Sequence, residues 1–179
     1  MGSTYVNIQM YNKRGLDSNE IKKHLEEFIR TKNLETEMAY YYSEDSKWIT
    51  IYGDQMERFT VEPNVYLTEL SQVMECPCIL SAVFDSDDLY MYVVDGEEVI
   101  DEIKDSGEGK KLKINREGWE EQFGSYDYER IENILLDQET FMENRVSNIF
   151  KEFGIHSELS EYGYGYYLEE GLDGFIDVE

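Results

Sequence analysis

The stretch "CILSAVFDSDDLYMYVVDGEEVIDEI", residues 78–103, decides the fold. Cys78 to Phe84 is a near-continuous apolar run, the pattern of a central strand covered on both faces. "LYMYVV" and "EVIDEI" follow it, joined by Asp95-Gly96, a pair that favours the tight primed turns of hairpins. Three consecutive strands are expected here. Between the first two, Asp85-Ser86-Asp87-Asp88 places three acids in four positions. An apolar strand ending in Asp-x-Asp can aim hard carboxylate oxygens at Mg²⁺ or Mn²⁺, as in nucleotide-sugar transferases. Asp and Ser are also what a tight connection between strands uses, because their side chains satisfy nearby backbone groups. The turn is the preferred reading. Asp54, closing "WITIYGD", is the further acid that a neighbouring strand would add to a metal set of Asp85, Asp87 and Asp88.

Working outward, "TYVNIQMYN" (4–12) alternates apolar and polar residues and reads as a strand with one solvated face or a bulge. Asp17 followed by Glu20 resembles a capping box, and Ile21, Leu25, Phe28 and Ile29 then recur at helical spacing. Met38–Tyr42 and Trp48–Tyr52 are β-rich runs around the turn-forming Ser43-Glu44-Asp45-Ser46, so a hairpin is expected. Pro63 opens a second helix carrying Tyr66, Leu67, Leu70, Val73 and Met74, and Cys76-Pro77 stops it. Ile131, Ile134 and Leu135 mark a short helix. Phe141 to Phe153 marks a longer one closed by Gly154, with Ile155 placed to touch Phe150. "YGYGYYL" (162–168) alternates tyrosine with glycine and reads as a last strand approached closely on one face. The order β-α-ββ-α-βββ-αα-β predicts a single α+β domain over residues 1–179, with a mixed or antiparallel sheet and helices packed on it. Within it, residues 1–104 are the sheet-rich part and 117–179 a helical part with a C-terminal strand.

Several functions are disfavoured. There is no G-x-G-x-x-G after the first strand and no Walker lysine loop. Gly107 and Gly109 beside Lys110 and Lys111 make a weak phosphate cradle. His24 and His156 pair with no nucleophile at a recognisable spacing, and paired carboxylates for glycoside chemistry are uninformative among so many acids. Cys76 and Cys78 flank Pro77 without a second pair, so buried strand thiols are preferred to a redox or soft-metal site. No apolar stretch approaches a membrane span and the N-terminus lacks a secretory pattern, so a cytoplasmic protein is expected.

The charge layout is the most informative feature. The chain carries 40 acids against 16 Lys and Arg, a formal charge of −24. Residues 33–103 hold 17 acids with only Lys47 and Arg58, and residues 117–179 hold 17 with only Arg130, Arg145 and Lys151. Base is confined to the first helix region and the loop 104–116. Such a field repels nucleic acid and anionic membrane and speeds encounter with basic partners. Fifteen tyrosines, clustered at 40–42 and 162–167, are residues favoured at interfaces, and the alternative is that most of them cover the sheet.

"WITIYGD", a helix, and "CPCILSAVFDSDDLYMYVVDGEEVIDE" together resemble a pattern of uncharacterised bacterial proteins over residues 48–103, with a fainter echo in "FKEFGI" and "YGYYLEEG". No activity is assigned to that pattern. The resemblance implies fold and a bacterial or phage origin. The expectation is therefore a non-enzymatic acidic binding protein of the immunity, antitoxin or inhibitor type, with no cofactor. It would act as a DNA mimic toward a basic nuclease or toxin through Tyr162, Tyr164, Tyr166, Glu169, Glu170 and Asp173. The alternative is a Mg²⁺- or Mn²⁺-dependent enzyme built on residues 85–88.

Overall fold

The computed structural model describes residues 2–32, 34, 36–58, 62–106 and 112–178. Seven strands form one sheet: β1 (Tyr5–Tyr11), β2 (Met38–Tyr41), β3 (Trp48–Gly53), β4 (Cys78–Phe84), β5 (Asp88–Asp95), β6 (Glu98–Asp105) and β7 (Phe175–Val178). Their spatial order is β6-β5-β4-β1-β3-β2-β7, and every neighbouring pair is antiparallel. The fold is thus α+β, with the sheet antiparallel rather than mixed. Among the described residues no helix is long and apolar enough to cross a membrane.

The apolar run 78–84 becomes β4, between β1 and β5 and buried from Cys78 to Val83, as a strand with cover on both sides must be. One face is covered by α1 (Ser18–Lys32) and α3 (Pro63–Met74), which bring Ile21, Leu25, Phe28, Leu67 and Leu70 onto Ile8, Met10, Ile51 and Leu80. α1 starts where its local chemistry says it should. The Glu20 N–H donates to Asp17 Oδ1 and the Asp17 N–H to Glu20 Oε2, both at 2.9 Å. α3 begins on Pro63 and ends at Glu75 in the left-handed region (φ 51°).

The other face is covered by α4 (Arg116–Phe123), α5 (Tyr128–Leu135) and α6 (Met142–Glu152), whose Trp119, Phe123, Ile131, Val146 and Phe150 meet Ile79, Val83, Met91 and Val93. α6 closes as its sequence predicts. Gly154 takes φ 78° and the Ile155 N–H reaches Phe150 O at 3.0 Å. Among the described residues there are also three short helices: α2 (Asp54–Glu57), α7 (Ser157–Ser160) and α8 (Tyr164–Glu170).

Three expectations require correction. Residues 162–168 form no strand: they enter and build most of α8, and the C-terminal strand is Phe175–Val178, paired with β2. Helix α4, with Trp119 and Phe123 one turn apart on a buried side, was not expected from the lysine-rich stretch before it. β1 has no solvated face either. Asn7 and Gln9 are fully buried and bonded across the sheet, Ser81 Oγ to Asn7 Oδ1 at 3.0 Å and Thr50 Oγ1 to Gln9 Oε1 at 2.8 Å. Their amides reach carbonyls of the α7 region: Asn7 Nδ2 donates to Ser160 O (2.9 Å) and Tyr162 O (3.1 Å), and Gln9 Nε2 to Leu159 O (3.0 Å).

A buried ion pair fastens the helical layer to the end of β6. Arg145 Nη1 on α6 contacts Asp105 Oδ2 at 2.8 Å, with the two side chains 5% and 8% exposed, and also donates to Leu135 O, while Arg145 Nε donates to Thr140 O. Breaking a buried ion pair by removing one member costs about 3–5 kcal/mol, whereas replacing both by apolar groups can be nearly neutral. Arg145→Met should therefore lower the free energy of unfolding in urea by that amount. Arg145→Met with Asp105→Leu should recover most of it, and equal losses in single and double variants would refute the assignment.

Candidate functional site

The turn 85–88 is a hairpin turn by geometry. Asp85 and Ser86 both have positive φ (48° and 62°), as primed connections require, and the Asp87 N–H donates to Phe84 O at 3.0 Å. Its side chains serve the N-terminal segment: Gly2 N–H donates to Asp85 Oδ1 at 3.0 Å and Ser3 N–H to Ser86 Oγ at 2.7 Å. Asp54 opens α2 and pairs with Arg58 at 2.6 Å, while β1 lies between its strand β3 and β4. Among the described residues no three His, Cys, Asp or Glu gather as metal ligands would. Gly107, Gly109, Lys110 and Lys111 lie outside the described residues.

Cys76 and Cys78 are buried free thiols, and burial pushes both above the ordinary thiol range. Their reactive thiolate is disfavoured. His24 is half-buried on α1 and His156 is exposed before α7, on different elements.

The acids are sorted in space as they are in sequence. On the α1–α3 side four cations are taken up: Lys13 by Asp95 (3.2 Å), Arg14 by Glu75 (3.2 Å), Lys22 by Glu26 (3.9 Å) and Lys32 by Glu69 (2.7 Å). The chain has no Lys or Arg after Lys151. Among the described residues, no carboxylate beyond Glu152 meets a Lys or Arg. Glu158, Glu169, Glu170, Asp173 and Asp177 are all exposed. This is an unneutralised acidic layer over α7, α8 and β7.

The tyrosines follow the alternative in which most of them pack against the sheet and helices. Of the fifteen, only Tyr166 is freely exposed; Tyr5, Tyr40, Tyr52, Tyr66, Tyr128 and Tyr164 are buried and the others half-buried. Tyrosine abundance here is mostly packing. Of the proposed contact set, Tyr162 and Tyr166 stack on each other with centroids 3.8 Å apart and planes at 7°, beside the exposed Leu168. Tyr164 faces inward, and its hydroxyl donates to Glu37 Oε2 at 3.0 Å. Burial first, and that carboxylate second, push its pKa up. Burial and a 2.7 Å bond to Asp177 likewise raise the Tyr167 hydroxyl to about 12.

Comparison with known protein families, curated proteins and solved structures finds no match.

What shapes the acidic layer is a carboxylate that sequence reading missed. Glu57 on α2 accepts the Gly165 N–H at 3.0 Å, at the start of α8, while its second oxygen, Oε2, is buried without a partner. A Cβ on Gly165 would come within 2.7 Å of Glu57 Oε1, and one on Gly163 would collide with Oε2. The tyrosine–glycine alternation therefore does record a close approach, but of a side chain to a helix start. Beside the layer lies a cleft of about 450 Å³ between the β2–β3 turn and the α6–α7 connection, with Trp48, Tyr126 and Phe153 among its walls. A second hollow of about 420 Å³ shares Tyr41, His156 and Leu159 with it and runs on to Asp173.

Burial, opposed by the backbone N–H bonds, raises the Glu57 pKa above its ordinary value of 4.5. The folded state thus prefers the protonated acid, and the stability this adds is complete below the ordinary pKa and lost as pH rises through the raised one. Glu57→Gln keeps an acceptor for Gly165 and removes the ionisation. Its melting temperature relative to the native protein should climb as pH rises above about 4.5. A difference independent of pH would show that Glu57 ionises normally. Gly165→Ala should destabilise at every pH.

Proposed function

We propose that this protein is a non-enzymatic acidic binding protein of the immunity or inhibitor type, which neutralises a basic, nucleic-acid-handling protein. The observation that carries the reading is the acidic layer beyond Glu152, where Glu158, Glu169, Glu170, Asp173 and Asp177 are exposed and meet no Lys or Arg among the described residues. A molecule needing acids only for solubility can intersperse them with base, which lowers self-repulsion. Here ion pairs form on the α1–α3 side and on α4 to α6, while the C-terminal layer is left to project its field. Duplex DNA presents one charge per about 1.7 Å of axis, and a basic groove built for it accepts a carboxylate surface in its place. The stacked Tyr162–Tyr166 pair and Leu168 add apolar contact area within the same layer.

Capture from the native cell tests this. A basic protein should be recovered at low and moderate salt. Its association rate should fall steeply with salt, and reversing Glu169, Glu170 and Asp173 to Lys should slow association by about tenfold or more with little change in dissociation. Recovery of nothing at either salt, or association indifferent to the triple reversal, would contradict the reading.

A further inference from the structure

The cleft beside the acidic layer has a composition that the layer alone does not explain. Its walls carry the rings of Tyr41, Trp48, Tyr126 and Phe153; Tyr126 and Phe153 have centroids 4.7 Å apart, and Trp48 and Phe153 5.2 Å apart. The adjoining hollow adds Phe175. Around these rings stand Asp45 in the first hollow and Glu158 and Asp173 in the second, none bonded to a Lys or Arg among the described residues. Lys47 is the opposing cation of the lining, exposed on its flexible stem. Trp48 is 4% exposed, and its indole N–H is buried without a hydrogen-bond partner.

Aromatic faces bordered by carboxylates attract a planar cation, and guanidinium suits such a place better than ammonium. It is weakly hydrated, stacks flat on rings and offers paired N–H groups to a carboxylate. Volumes of about 450 and 420 Å³ fall within the range of pockets that enclose a ligand group. We infer that this cleft receives an arginine side chain of a basic peptide or protein segment, stacked on the half-buried rings of Tyr41 and Tyr126 and paired with Asp45 or Glu158. The inference rests on the acidic-binder reading and deepens it: the acidic layer would govern encounter, and the cleft would select arginine over lysine.

The two tryptophans permit a test on the intact chain. Trp119 Nε1 is committed to Asp101 Oδ2 at 2.7 Å on the β6 side, so its indole signal serves as an internal reference. The probes are acetyl-Gly-Arg-Gly-amide and its lysine counterpart, titrated while the indole and backbone amide signals are followed by NMR, with Trp48→Phe giving the assignment. The arginine peptide should shift the Trp48 indole saturably and leave that of Trp119 in place. It should bind at least fivefold tighter than the lysine peptide, and Asp45→Lys with Glu158→Lys should weaken it about tenfold. Equal binding of the two peptides, or shifts confined to the amides of α8 and β7, would overturn the inference while leaving the acidic-binder reading intact. No response to either peptide anywhere on the chain would remove both.

Discussion

Two amides in the middle of the sheet hold the molecule in its present arrangement. β1 lies between β3 and β4, and its side chains alternate between two purposes. Val6, Ile8 and Met10 join the core under α1 and α3, while Asn7 and Gln9, equally buried, face the opposite layer. There they bridge β4 through Ser81 and β3 through Thr50, and offer their N–H groups to the carbonyls of residues 159, 160 and 162. Tyr52 reinforces the seam by donating to Leu159 O at 3.2 Å. A buried polar group left unpaired costs about 1–3 kcal/mol, so these bonds matter less as net attraction than as a strong bias against any other placement of the segment that follows α6.

That bias positions both features of functional interest. α7, fixed by the seam, supplies His156, Glu158 and Leu159 to the cleft walls; α8 then starts against Glu57 and carries Glu169 and Glu170 outward. β7 finally closes on β2 with Phe175 stacked on Tyr52 at 4.7 Å. The cost of a chain at −24 is self-repulsion of the compact state. Ion pairing on the α1–α3 side, on α4 to α6 and in the buried Arg145–Asp105 pair relieves it locally, but among the described residues no Lys or Arg pairs with a carboxylate of the C-terminal layer. A surface kept charged where pairing was available elsewhere in the same molecule is what the binding reading explains.

Much of the architecture was legible because its causes are local. The run 78–84, Asp95-Gly96, the Asp17–Glu20 box and the Gly154 closure each contain their own reason within a few residues, and each forms as read. Residues whose partners are distant misled. Asn7 looks like the wet side of a strand until its carbonyl partner, 153 residues away, is in place, and the glycines of α8 look like strand spacing until Glu57, 108 residues from Gly165, comes against them. Helix α4 did have a local signature, an Asn115 cap and Trp119 four residues before Phe123, obscured by the basic stretch before it. The charge of Glu169, Glu170 and Asp173 was plain from sequence because charge segregation is a property of composition. The cleft was not, since it is assembled from a turn near residue 45, Tyr126 and the segment 153–159.

The dependence of the C-terminal layer on the β1 amides is open to direct measurement by native-state hydrogen exchange of the protein and of Gln9→Met, which keeps volume and removes the bonds to Leu159 and Thr50. Amides of residues 157–170 should lose protection by at least tenfold, while those of β4 and β5 keep theirs. Unchanged protection at 157–170, or a uniform loss over the whole sheet, would contradict the claim that these side chains separately anchor the acidic layer.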